Sequence, residues 1–242
     1  MIVDFQHHFT PRELIKEDPG DRLILHYDAQ GAPSYTIHSL LYDLDEHVRM
    51  MDLAGIDAAW LTSAQGMCAD ADTSRFVNDK AKKAERDYPG RFIGAAHAHP
   101  LGGAPAIKEL NRCRHELGFQ GVVITSETDG LFLDNPKFEP FWAEAARLGM
   151  FVFVHPALKL NFSQQFDAFD TAGFAGAISS VKTALVEIPA SRIVFATDYP
   201  QEIRAREAAR DFVRDIRALG QDGEDILSGN VGKLLKQPAT AA

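Results

Sequence analysis

The chain has 242 residues, of which 45% are hydrophobic, 24% charged and 10% aromatic. These are the proportions of a globular domain, and they exclude a disordered, collagen-like or coiled-coil architecture. A net charge of −9 without a basic stripe argues against a nucleic-acid partner, and no apolar run is long enough to cross a membrane.

The elements are read in chain order. Ile2–Phe5 is a short apolar run that ends in Gln6, His7 and His8. Thr10 to Pro33, rich in Pro, Gly, Asp and Arg, reads as a long loop. Leu44 to Leu53 carries apolar residues at helical spacing, with Asp43 or Asp45 at its start and Gly55 to stop it. Ala58–Thr62 is the next strand. Thr73 to Tyr88 is a charged amphipathic helix closed by Pro89–Gly90. Phe92–Ala98 is a third strand, Ala104–Leu117 a helix capped by Gly118, and Gly121–Thr125 a fourth strand. Phe138–Leu148 is a helix before Gly149, and Phe151–His155 a fifth strand. Phe166–Ala172 alternates weakly as a possible sixth, and Ala175–Glu187 is helical. Ile193–Thr197 is a strand ending at Asp198, and Gln201–Leu219 and Gly223–Lys236 are closing helices.

Apolar strands alternating with helices form the pattern of a parallel α/β fold covered on both faces. Residues 1–242 read as one domain. Cys68 and Cys113 make no CxxC pair, and MIVDFQHHF lacks the basic stretch and apolar core of a signal peptide. A cytoplasmic protein is expected.

Polar residues interrupt the strands at their carboxyl ends, where parallel α/β folds build their sites. His8 ends the first, His97 and His99 the third, Thr125 and Ser126 the fourth, His155 the fifth and Asp198 the last. Imidazole and carboxylate together suit a divalent metal. On a strand, Gln6 and His8 share one face while His7 points the other way, as a packing histidine does. Asp198 could instead cap a helix. His97 and His99 are open between a second ligand pair, pocket lining and a structural role.

Several collinear segments carry a resemblance: IVDFQHHFTP (2–11), LDEHVRMMDLAGIDAAWL (44–61), VNDKAKKAERDYPGRFIG (77–94), LDNPKFEPFWAEAARLGMFVFVHP (133–156), SRIVFATDYP (191–200) and ILSGNVGKLL (226–235). They resemble the amidohydrolase-related group typified by aminocarboxymuconate-semialdehyde decarboxylase and the resorcylate and carboxyvanillate decarboxylases. The resemblance implies a TIM-type (β/α)8 barrel and a mononuclear divalent metal, zinc first and manganese second. It implies His8, His155 and Asp198 as metal ligands, with His155 and Asp198 catalytic.

Two positions depart from that pattern. Gln6 stands where the family has its first histidine, and a neutral amide is the weaker ligand, so Gln6 is also a substrate contact. Between His155 and Thr171 there is no further histidine and no room for a strand, a crossover helix and another strand. The barrel is therefore expected to be shortened around its sixth strand, and a homo-oligomer is expected because open sheet edges invite pairing.

The activity implied is non-oxidative decarboxylation of a small carboxylated aromatic or unsaturated acid. His99, Thr125 and Ser126 are further substrate contacts. Hydrolysis of a lactone or amide, and an inactive relative that binds small acids, are the alternatives.

Overall fold

In chain order the strands and helices are β1 (Val3–His8), β2 (Ile24–Tyr27), β3 (Pro33–Ile37), α1 (Leu44–Ala54), β4 (Ala58–Thr62), α2 (Ala71–Asp87), β5 (Phe92–Gly94) and β6 (Ala96–His97). Then come α3 (Gly103–Arg112), β7 (Gly121–Thr125), β8 (Glu127–Thr128), β9 (Leu131–Phe132), α4 (Glu139–Arg147) and β10 (Phe151–His155). The last helices are α5 (Ile178–Glu187), α6 (Arg206–Arg217), α7 (Gln221–Glu224) and α8 (Asn230–Leu235). This computed structural model describes residues 1–20, 22–27, 33–156 and 178–235. The expected sixth strand, 166–172, and the shortened region lie outside the described residues. Among the described residues two compact units divide the chain: those within 1–8, 15–60 and 178–235 form the first, and those within 9–14 and 61–156 the second.

In the first unit β1 is buried along its whole length, although Asp4, Gln6, His7 and His8 are polar. Buried polar groups persist where they satisfy one another. Asp4 Oδ2 lies 2.8 Å from His7 Nδ1, and His7 Nε2 lies 3.0 Å from His47 Nδ1. His47 Nε2 meets the Leu40 carbonyl. The two ends of this chain are a carboxylate and a carbonyl, which only accept. The His7–His47 contact therefore needs one proton, supplied by one of the two imidazoles. Burial, then the charge on His7, hold His47 well below the usual imidazole range. Tyr199 stacks on His7 at 5.2 Å and meets His47 edge-on at 5.1 Å.

The 193–197 segment corrects its sequence reading. It is extended beside β1: Phe5 N donates to Phe195 O at 3.0 Å, Asp198 N to Gln6 O at 3.1 Å and His8 N to Tyr199 O at 2.7 Å. It is not a regular strand, because Thr197 N donates to Asp4 Oδ1 at 2.8 Å and breaks the ladder. Asp198 then turns into the left-handed region with φ 53. Its carbonyl takes the N–H groups of Gln201 and Glu202 in a tight turn. The helix expected from Gln201 consequently starts at Arg206.

The 10–33 loop also needs correcting, since β2 and β3 form an antiparallel hairpin with Ile24 opposite Ile37 and Leu25 opposite Thr36. α1 starts at its Asp43 cap, which accepts from Glu46 N at 3.0 Å, and stops at Gly55. The first unit's core includes Phe5 stacked on Trp60 at 5.0 Å and Phe195 against Phe212 of α6 at 5.8 Å.

In the second unit β7 is the middle strand of a three-stranded parallel sheet, with β10 on one side and β6 on the other. Both β7 and β10 span the residues read from the sequence. The expected strand 92–98 divides at Ala95, whose N–H donates to Leu61 O at 3.2 Å. One half thus pairs towards β4 and the other with β7. α2 starts earlier than Thr73 because Asp70 caps it, accepting from Asp72 N at 3.0 Å and Thr73 N at 2.9 Å. Leu110, Phe119, Val122, Ile124, Phe141 and Leu148 fill the core between sheet and helices. The short hairpin β8–β9 turns at Asp129–Gly130, both with positive φ, as two-residue hairpin turns require. Among the described residues no helix is long and apolar enough to cross a membrane.

Candidate metal centre

Parallel strands deliver their last residues to one rim. In the first unit, His8 is the last residue of β1, and the neighbouring segment places Asp198 beside it. His8 Nε2 lies 2.8 Å from Asp198 Oδ1. Gln6, two residues back on the same face, brings its amide nitrogen to 3.1 Å from the same His8 Nε2. The His8 side chain is 6% exposed and that of Asp198 26%, so the pair is shielded on one side and open on the other.

The hydrogen bonds within this triplet conflict. One imidazole nitrogen cannot both accept from the Gln6 amide and donate to the Asp198 carboxylate. Gln6 Oε1 is also buried without a hydrogen-bond partner among the described residues. A cation resolves both conflicts: the His8 lone pair and the Asp198 oxygen turn to it, and rotating the Gln6 amide presents its oxygen too. The donors present therefore fit a divalent metal.

His7 faces the opposite side of β1 and is consumed by the Asp4–His47 network, in keeping with its reading as a packing histidine. Asp198 does not cap a helix, since α6 starts at Arg206.

The second unit holds the remaining sequence candidates. His155 ends β10 opposite Thr125 of β7, and its carbonyl accepts from Ser126 N at 2.8 Å. His155 Nδ1 lies 2.8 Å from the Pro156 carbonyl and so carries the proton, making Nε2 the lone-pair nitrogen that a metal ligand needs. Thr125 donates to Glu127 O, so the Cys68 thiol, 3.0 Å away, donates to Thr125 Oγ1. His99 Nδ1 accepts from Leu101 N at 3.1 Å, and its Nε2 is 3.5 Å from Asp129 Oδ2. It lines a cavity of about 510 Å³ together with Asp129, Lys137, Ile107 and Phe141.

His97 resolves to a structural role. Its Nε2 accepts from Ser63 N at 2.9 Å, and its Nδ1 lies 3.2 Å from Asn78 Oδ1. Asn78 donates in turn to His97 O and to Glu109. Burial lowers the His97 pKa to about 3. A folded pKa below the unfolded value means that unfolding takes up a proton between those two values. Stability is then full above pH 6.5 and falls as the pH drops towards 3. His97 alone is expected to contribute a slope approaching about 1.4 kcal/mol per pH unit below pH 6. Urea midpoints measured from pH 7 to 5 check this, and His97→Gln should flatten the profile.

A model of the amidohydrolase family matches residues 3–179, most of the chain. The chain belongs to the amidohydrolase family. It is 32% identical over 127 residues to 2-amino-3-carboxymuconate-6-semialdehyde decarboxylase of Dictyostelium discoideum, covering 50% of this chain and 35% of that protein. It is 28% identical over 169 residues to gamma-resorcylate decarboxylase of Rhodococcus jostii, covering 66% of this chain and 51% of that protein. These matches span about a third to a half of the length of those family members. Among solved structures, dihydroxybenzoic acid decarboxylase of a Polaromonas species superposes with a TM-score of 0.74 at 20% identity, over 97% of this chain and 96% of that one. That structure holds manganese and the inhibitor 2-nitroresorcinol. At this identity the likeness concerns the fold.

The sequence reading missed His38 and His47. Both are buried, and His47 meets His7, 40 positions away in the chain. The apolar spacing of α1 signals that the His47 position faces inward, but nothing nearby in sequence marks its partner.

Proposed function

We propose that this family member is a metal-dependent, non-oxidative decarboxylase of a small hydroxylated aromatic acid, with His8, His155 and Asp198 holding the cation. The supporting observation is the His8–Asp198 pair with the Gln6 amide against it, a set of donors that a cation satisfies. The position of His155 at a strand end, with Nε2 as its lone-pair nitrogen, supports its place in the set. The names of the related decarboxylases supply the substrate class. In this reading residues 1–242 form one TIM-type barrel domain, shortened around its sixth strand. The assembly is a cytoplasmic homo-oligomer, consistent with two free thiols.

With Gln6 in place of the first histidine, two imidazoles and a carboxylate form a harder set than three imidazoles and a carboxylate, which favours manganese over zinc. When bound, the metal polarises an oxygen beside the leaving carboxylate and stabilises the negative charge left on the ring. Asp198 holds the proton that replaces the carboxylate on the ring carbon, and it regains one from solvent through its exposed side. Gln6 positions the substrate carboxylate through its amide. His99, Thr125 and Ser126 complete the substrate contacts.

Incubating manganese-loaded protein with 2,6-dihydroxybenzoate and related acids tests this reading. Carbon dioxide and the matching phenol are expected in equal amounts. Ring-opened acid from a lactone panel, with no phenol from any benzoate, contradicts it.

A further inference from the structure

We propose that the cavity beside His99 binds a small carboxylic acid with an apolar body, and that it does so without the metal. The cavity, of about 510 Å³, belongs wholly to the second unit, and none of His8, His155 and Asp198 lines it. The proposal therefore goes beyond the decarboxylase reading, with which it shares only His99.

Three pieces of chain enclose the cavity: the stretch from His99 into the first turns of α3, the β8–β9 hairpin, and the turn that leads into α4. Much of its wall is apolar and firmly held. Phe141 belongs to the buried core, Ile107 packs against that core, and Leu131 adds apolar surface from the hairpin. A concavity of this size, largely apolar with a few polar groups on it, is the usual form of a small-molecule site.

The polar groups are His99, Asp129 and Lys137. Leu101 N donates to His99 Nδ1 at 3.1 Å and Gly102 N to His99 O at 2.9 Å, so both ring and backbone are held. Because Nδ1 accepts, Nε2 carries the ring proton. That Nε2 lies 3.5 Å from Asp129 Oδ2, beyond the usual range of an N–H···O bond, so the donor is under-used. Lys137 sits in the turn before α4, where Asn135 Oδ1 accepts from its backbone N at 3.1 Å. Among the described residues its ammonium has no hydrogen-bond or ion-pair partner.

A loosely engaged N–H and an unpaired ammonium on one cavity suit a carboxylate, whose oxygens can accept from both. The apolar wall suits a hydrocarbon body. An amine would meet Lys137 with like charge, and inorganic phosphate would leave the wall uncovered. Asp129, the acidic lining residue, is 66% exposed, so water and salt screen its charge from an anionic guest.

Calorimetric titration of the full chain with cyclohexanecarboxylate and with cyclohexanol tests the proposal. The acid is expected to bind at least about tenfold more tightly than the alcohol, in manganese-loaded and chelator-dialysed protein alike. Lys137→Met should weaken the acid about fivefold, the upper end for an exposed charge pair, and change the alcohol by less than about twofold. Lys137→Arg keeps the charge and should recover most of that loss. Methyl shifts in the NMR spectrum should centre on Ile107 and Leu131. Equal binding of acid and alcohol, no binding of either, or an unchanged affinity in Lys137→Met overturns the proposal. So does binding that requires manganese or disappears in Asp198→Ala, since the acid then sits at the candidate metal centre. Failure to release carbon dioxide from any hydroxybenzoate refutes the decarboxylase reading alone, which is a distinct result.

Discussion

Asp198→Asn is expected to lower kcat on a hydroxybenzoate by about a thousandfold or more while leaving the fold intact. Asparagine keeps the shape and the backbone turn but removes the negative charge. That charge has two assignments here: partnering a divalent cation together with His8 Nε2, 2.8 Å away, and holding the proton delivered to the ring. Loss of a single preorganised electrostatic contact typically costs about a hundred- to a thousandfold in kcat, and a group with both roles sits at or beyond the upper end. The side chain is 26% exposed, so little folding stability depends on it. Steady-state kinetics beside circular dichroism checks both halves. A variant with near-wild-type kcat removes Asp198 from the chemistry.

Asp4→Ala is expected to reduce folding stability by about 3 kcal/mol or more, because each buried donor that loses its acceptor costs about 1–3 kcal/mol. Asp4 and His7 have side chains with 0% exposure. Asp4 accepts from His7 Nδ1, from Thr197 N and from the Thr197 hydroxyl, and so ties β1 to the segment that carries Asp198. Alanine removes the acceptor that all three donors share. Urea unfolding measures the loss, and a change below about 1 kcal/mol contradicts the assigned network. Part of any activity lost in this variant should return with added manganese, because the defect lies in the support of the centre.

The legible parts of the fold are those that local chemistry decides. β4, β7 and β10 are uninterrupted apolar runs, and their bounds follow from composition. Asp43 and Gly55 mark both ends of α1. The 193–197 segment has the same composition, yet the Asp4 side chain takes the Thr197 N–H and breaks its ladder, a contact made across almost the whole chain. The β2–β3 hairpin is hidden because its weak alternation is surrounded by Pro, Gly and Asp.

The candidate site divides in the same way. His8 and Asp198 are visible as polar residues ending apolar runs, and the structure brings them together. His97 and His99 look equivalent in the sequence, but one is locked by Ser63 and Asn78 and the other lines a cavity.

Manganese content after dialysis, determined by elemental analysis for wild type and for His8→Ala, His155→Ala and Asp198→Ala, bears most directly on the shared cation. The expected result is about one ion per wild-type chain and almost none in each variant, as for a site with three protein ligands. A folded His155→Ala protein that keeps its manganese at wild-type affinity contradicts the three-ligand centre.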